Sequence, residues 1–323
     1  MTADVLTTAD GERLAARWWR PAAPTGEVVV VVHGFCGGKD TPAVGSVAAR
    51  LVAGGRTVLA FDLRGHRGST GHCSLGLHER LDVDAAVAAA RREGDVVLAV
   101  GSSLGAVATL DHVAWPVGPD GGPGCGDGAG GRADGAVLVA APAHWKVPLT
   151  ARGAMAVVLT QTWPGRTFLA RRAATRVAVR PPRGAVPVEL MRAVTRPVAI
   201  LHGLDDRFLP PGAARMLHAL APEPRRLDLV PGMGHGLCAE AVEPIAAAVD
   251  WVSRMAGEPA QVAPAPSPAA AWAAPGRSPR AAGDAGATGP GGRAAAPTDP
   301  TDPTDPPGPE AIAGGGPGLG GGP

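Results

Sequence analysis

The chain has 323 residues, of which 47 are glycine and 34 proline; it has no tyrosine and a formal net charge of +1. Lack of tyrosine excludes every mechanism built on a phenol acid, base or nucleophile, including tyrosine–lysine dehydrogenases and tyrosine recombinases. With 30 basic and 29 acidic residues no global field favours nucleic acid. Fifteen prolines and fifteen glycines fall in residues 257–323. So few large apolar side chains cannot offset the entropy of ordering that stretch, which predicts a disordered tail and leaves residues 1–256 as one domain.

The first elements are two extended segments, 4–8 and 13–19, separated by Ala9-Asp10-Gly11, a hairpin signal. Residues 28–32 (VVVVV) read as a strand buried on both faces. A helix is predicted over 42–53 and a buried strand over 57–61 (TVLAF). Another helix is predicted over 79–92, with acids early and Arg91-Arg92 late, as the helix dipole prefers. Residues 96–100 (VVLAV) form a third central strand, 104–114 a helix that Pro116 stops, and 116–134 a glycine-rich surface loop. Strands at 136–140, 198–202 and 226–230 and a closing helix over 243–255 complete the series. Buried strands alternating with helices predict an α/β fold with a mostly parallel sheet covered on both faces. The longest branched apolar run is too short for a bilayer, the N-terminus has no apolar leader segment, and Cys36, Cys73, Cys125 and Cys238 form no CxxC pair. Free thiols in a cytoplasmic protein are expected.

Gly101-Ser102-Ser103-Leu104-Gly105 is a G-x-S-x-G sequence between a strand and a helix. A sharp turn there holds a serine hydroxyl above the sheet edge, beside the positive N-terminus of the next helix. Serine needs a base held by a carboxylate. Two later strand ends supply candidates: Asp205 and Asp206 after the strand at 198–202, and His235 after the strand at 226–230. In a parallel sheet both loops emerge at the edge that carries Ser103. His33-Gly34-Phe35 follows the VVVVV strand at the same edge, so the Phe35 and Leu104 backbone N–H groups are candidates for an oxyanion hole. His33 is expected to serve as a structural hydrogen-bonding residue. His66, His72, Cys73 and His78 lack the spacing of a zinc site and are expected to be loop residues. No metal or cofactor is expected.

These pieces resemble the α/β-hydrolase-fold serine hydrolases, the small-lid esterase and serine aminopeptidase-like members in particular. The resemblance rests on HGF at 33–35, FDLRGHRGS at 61–69, GSSLGA at 101–106, HGLDDRFLP at 202–210 and PGMGHG at 231–236. It implies Ser103 as nucleophile, His235 as base and Asp206, rather than Asp205, as the acid, and a helical lid over about 143–196. The usual R-G-H-G-x-S is permuted to Arg64-Gly65-His66-Arg67-Gly68-Ser69, expected to lie far from the proton transfers, and Ser102 stands where His is commonest. Ser103 and the missing tyrosine set the chain apart from the epoxide hydrolases and dehalogenases of this fold. The implied reaction is hydrolysis of small carboxylic esters by a monomer or homodimer; acyl transfer, thioester hydrolysis, proline-type aminopeptidase activity and a non-catalytic binding scaffold are the alternatives. Trp145, Trp163 and Phe168 are expected either to line an acyl pocket or to seat the lid. Eight cations and no acid lie in 143–188, a solvated surface or an electropositive rim.

Overall fold

The computed structural model describes residues 4–114, 131–145, 151–179 and 184–257. Most of the glycine-rich loop, Cys125 and the tail beyond Gly257 lie outside them. Strands β1 (Asp4–Thr7), β2 (Arg13–Trp19), β3 (Glu27–Val32), β4 (Thr57–Phe61), β5 (Val96–Ser102), β6 (Gly135–Val139), β7 (Val198–Gly203) and β8 (Arg225–Val230) form one sheet in the order β1-β2-β4-β3-β5-β6-β7-β8. The β1–β2 hairpin and the β2–β4 pair are antiparallel; every other pair is parallel. The helices are α1 (Pro42–Ala53), α2 (Glu79–Ala90), α3 (Leu104–Ala114), α4 (Ala151–Gln161), α5 (Trp163–Arg172), α6 (Pro187–Arg192), α7 (Gly212–Leu220) and α8 (Val242–Gly257). No helix among the described residues is long and apolar enough to cross a membrane.

The valine run of β3 shows why this sequence needs two covering layers. Val28, Val30 and Val32 point into the core beneath α2 and α3, whereas Val29 and Val31 point into the core beneath α1 and α8. Each is at most 1% exposed, which stabilises the fold by about 1.5–3 kcal/mol per side chain. The sheet therefore sits fixed between two apolar layers, and its carboxyl edge is a rigid platform.

At one end a buried guanidinium joins three segments. Arg64, 4% exposed, donates from Nε to Asp82 of α2 (2.8 Å) and from Nη1 and Nη2 to Asp10 in the β1–β2 turn (2.7 and 3.1 Å). Its backbone N–H also donates to Asp82 (2.8 Å). Removing the guanidinium strands a buried carboxylate, so Arg64→Met is expected to lose about 3–5 kcal/mol of stability in chemical denaturation. Burial already pushes the Asp82 carboxyl up to about 7 against the pull of Arg64. A carboxyl raised in the folded state binds more protons there than in the unfolded chain, so stability falls as pH rises from about 4 to 7. The variant's deficit should accordingly shrink on acidification; a deficit independent of pH would show that Asp82 is not the stranded group.

Candidate active site

The strand-to-helix turn places Ser103 at the end of β5 in a left-handed conformation, φ +53°. Its N–H donates to Val139 O at the end of β6 (2.9 Å), and its carbonyl accepts from Ala106 and Val107 in the first turn of α3. A Cβ at Gly101 would lie 2.4 Å from Gly105 O, and one at Gly105 would lie 2.5 Å from both Val32 O and His33 O. Only glycine lets the helix start so close to β3, which is the physical content of the G-x-S-x-G spacing. A non-glycine residue at positive φ costs on the order of 1–3 kcal/mol and persists here because the packing on both sides overrides it.

His235, in the loop after β8, reaches this serine: Nε2 lies 3.0 Å from Ser103 Oγ. Its Nδ1 lies 2.7 Å from Asp206 Oδ2, in the loop after β7. The Asp206 side chain is wholly buried, and its Oδ1 accepts the Phe208 and Leu209 N–H groups (2.8 and 2.9 Å). Burial opposes its ionisation, but the bonds from His235, Leu209 and Phe208 outweigh that and hold the carboxyl below its ordinary value. The neighbouring Asp205 is exposed. The Phe208 ring packs on the imidazole, centroids 5.0 Å apart. Such a chain of carboxylate, imidazole and hydroxyl can draw the proton from the serine as it attacks an electrophile.

The loop after β3 closes the opposite side. His33 is 2% exposed; its Nε2 accepts the Leu63 N–H (3.0 Å), so Nδ1 carries the proton and donates to Gly34 O (2.7 Å). Burial, with His66 beside it, pushes its pKa down to about 3. It is a neutral structural residue. His66 Nε2 accepts the Cys36 N–H (3.2 Å), and its Nδ1 donates to Arg64 O (3.0 Å). Arg67 donates from Nε to Gly37 O (2.8 Å) and from its backbone N–H to Ala174 O (2.7 Å). The permuted loop at 64–69, expected to lie far from the chemistry, is thus bonded directly to the segment that follows Phe35.

Phe35, Ser103 and His235 border a cavity of about 290 Å³, walled further by Thr41 and Val44 of the α1 end and by Leu237. Trp145, Trp163 and Phe168 do not line it. Trp145 is half-buried and donates from Nε1 to Ala185 O (2.8 Å). Trp163 and Phe168 are 73% and 54% exposed, because α5 turns Gly165 and Leu169 inward instead. This cavity opens instead toward α1, at Thr41, Ala43 and Val44. No signal in the sequence marked Thr41 or Val44, whereas Arg67 stood out as a departure from the family pattern. Among the described residues no group of three His, Cys, Asp or Glu is placed to hold a metal. Cys36, Cys73 and Cys238 are free, and burial raises the thiols of all three, which keeps them poor nucleophiles.

A mostly parallel sheet with its turn serine, histidine and aspartate on loops at one edge is the architecture of an α/β hydrolase. The sequence pattern of the Alpha/beta hydrolase family matches residues 29–250, and the chain belongs to that family. No curated protein matches the sequence. Among solved structures, an esterase from a Rhodococcus species superposes with TM-score 0.55 at 22% identity, covering 80% of this chain and 99% of its own. The esterase domain of a Rhodothermus marinus protein gives 0.53 at 21%, covering 79% and 99%. A Butyrivibrio proteoclasticus protein with bound ferulic acid gives 0.56 at 18%, covering 79% and 100%. At these identities the likeness establishes the fold.

Proposed function

We propose that the protein is a serine hydrolase of carboxylic esters acting through Ser103, His235 and Asp206. The observation that carries this reading is the unbroken contact series, 3.0 Å from Ser103 Oγ to His235 Nε2 and 2.7 Å from His235 Nδ1 to Asp206 Oδ2. In the proposed reaction His235 takes the Ser103 proton as Oγ attacks the ester carbonyl, and Asp206 stabilises the resulting imidazolium. The Phe35 and Leu104 N–H groups receive the oxyanion. His235 then protonates the leaving alcohol. Water, activated by the same imidazole, hydrolyses the acyl-Ser103 ester and restores the free enzyme. Among the described residues the cavity walls bear no carboxylate, lysine or arginine, which suits a neutral ester, and two of the structural relatives named above are esterases. A fluorophosphonate probe tests the nucleophile: labelling of the wild type that persists in Ser103→Ala would refute the assignment. The free thiols suit a cytoplasmic setting, which cell fractionation checks.

If the loop carrying Phe35 is held by Arg67, Arg67→Gly should lower kcat with KM little changed. One lost hydrogen bond is worth about 1 kcal/mol, or roughly fivefold in rate. Glycine accepts the φ of +42° at this position, so the fold is not strained by the change. Steady-state kinetics on a p-nitrophenyl ester measure it; an unchanged kcat would mean that the other contacts suffice to hold the loop.

A further inference from the structure

Large apolar side chains are unevenly exposed over this molecule. Nine are strongly exposed among the described residues, and five of them fall between positions 155 and 168: Met155 (57%), Val157 (45%), Val158 (52%), Trp163 (73%) and Phe168 (54%). They belong to α4 and α5, a helical hairpin joined at Thr162. The Thr162 hydroxyl donates to Val158 O (2.7 Å) and accepts the Gly165 N–H (3.1 Å), which fixes the turn. Thr160, Gly165 and Leu169 fill the inner side, leaving the apolar side chains outside. Isolated exposed apolar residues are ordinary; a cluster on one surface hairpin marks a contact surface.

Charge is segregated onto the same segment. Residues 143–188 hold eight of the 30 basic residues and none of the 29 acidic ones, although the whole chain is nearly neutral. Arg171 and Arg172 are exposed at the end of α5, and Arg166 caps α4 through Gln161 O (3.1 Å). Arg176 is turned inward, where it donates to Gly71 O (3.2 Å). Exposed Trp, Phe, Met and Val side chains beside arginines, with no carboxylate, match an anionic lipid surface: the apolar groups enter the headgroup boundary and the guanidiniums meet phosphates. A second copy fits poorly, since a two-fold pairing would set one cationic segment against another.

The hairpin is rooted beside the site. Directly after α5, Thr175 bridges to His66, and Ala174 O accepts the N–H of Arg67, whose side chain holds Gly37. We propose that the α4–α5 hairpin is a docking surface for anionic lipid, placing the mouth of the Ser103 cavity at the lipid surface, where amphiphilic esters reside. The substrate half of this inference rests on the ester-hydrolase reading; the docking half does not.

The test is co-sedimentation of the full chain, in the wild-type and Ser103→Ala forms, with vesicles of phosphatidylcholine alone and of phosphatidylcholine mixed with phosphatidylglycerol. Both forms are expected to bind only the anionic vesicles, and less so in high salt. The Arg171→Gln/Arg172→Gln pair should weaken binding roughly thirtyfold, at about 1 kcal/mol per charge. Trp163→Ser/Phe168→Ser should abolish it, with turnover of a water-soluble p-nitrophenyl ester and the thermal melt unchanged. Absence of binding, equal binding to neutral vesicles, or binding that survives both variants would overturn the proposal. So would a concentration-dependent dimer, seen by light scattering, that the Trp163→Ser/Phe168→Ser change dissolves. Vesicle binding without ester turnover would retain the docking surface and sink the hydrolase reading instead.

Discussion

Ser103→Ala is expected to lower kcat for ester hydrolysis by about 10⁶-fold while leaving the fold intact. The hydroxyl proposed as nucleophile is the only atom removed. Nothing replaces it, because His235 Nε2 has no other acceptor or donor bonded to it among the described residues. Alanine keeps the backbone at φ +53° at a cost close to that already borne by serine. The oxyanion N–H groups remain, so a residual rate roughly 10³–10⁴ above the uncatalysed reaction should persist. Initial rates on p-nitrophenyl acetate, with circular dichroism as the folding control, measure the effect. A variant within tenfold of wild type would move the nucleophile elsewhere, and Ser102, whose residue also borders the cavity, would be examined first.

Asp206→Asn is expected to cost about 10⁴-fold in kcat, whereas Asp205→Asn should stay within about twofold of wild type. The difference follows from geometry. Asp206 accepts from His235 and from two backbone N–H groups inside the protein, while Asp205 points to water. An amide at 206 can no longer stabilise a positive imidazole, and its NH₂ can force the ring to present a protonated Nε2 to Ser103. The bonds that hold the Asp206 carboxyl below its ordinary value also keep it ionised through mildly acidic conditions. An activity profile of Asp206→Asn that rises toward high pH, where the wild type is flat, would be its signature; equal losses at positions 205 and 206 would contradict the assignment.

The central strands were legible because β-branched runs such as 28–32 can only be satisfied between two apolar layers, whereas their order across the sheet was not. The helix at Pro42–Ala53 and the one at Leu104–Ala114 fall where proline and glycine punctuate the chain. Helix α7 was not anticipated, although its nine residues are strongly amphipathic and bury Ala214 and Leu217 against α6, β7 and β8. Strand β5 runs two residues past Val100, to Ser102, because its pairing with β6 continues to Val139. The motif residues Ser103, His235 and Asp206 meet in space since each lies at the end of a strand whose neighbours are fixed by the sheet. The walls of the cavity were not legible, because Thr41, Val44 and Leu237 come together only through tertiary contacts. Trp163 and Phe168 lie away from those walls because α5 turns Gly165 and Leu169 inward and leaves both aromatic rings exposed.

Val139 and Leu201 stand opposite each other in the ladder between β6 and β7, and the whole helical segment carrying α4, α5 and α6 leaves and re-enters the sheet between those two strands. Ser103, Asp206 and His235 come instead from the ends of β5, β7 and β8. Within that segment α6 buries Met191 in the core against α3 and α7, whereas no described residue of α4 or α5 belongs to either core layer, so the α4–α5 hairpin alone is peripheral to the packing that holds the sheet. A lineage, or a designer, that exchanges the hairpin leaves the ends of β5, β7 and β8 in place but must keep the strand-like strap at Ala174 and Thr175, which grips Arg67 and His66.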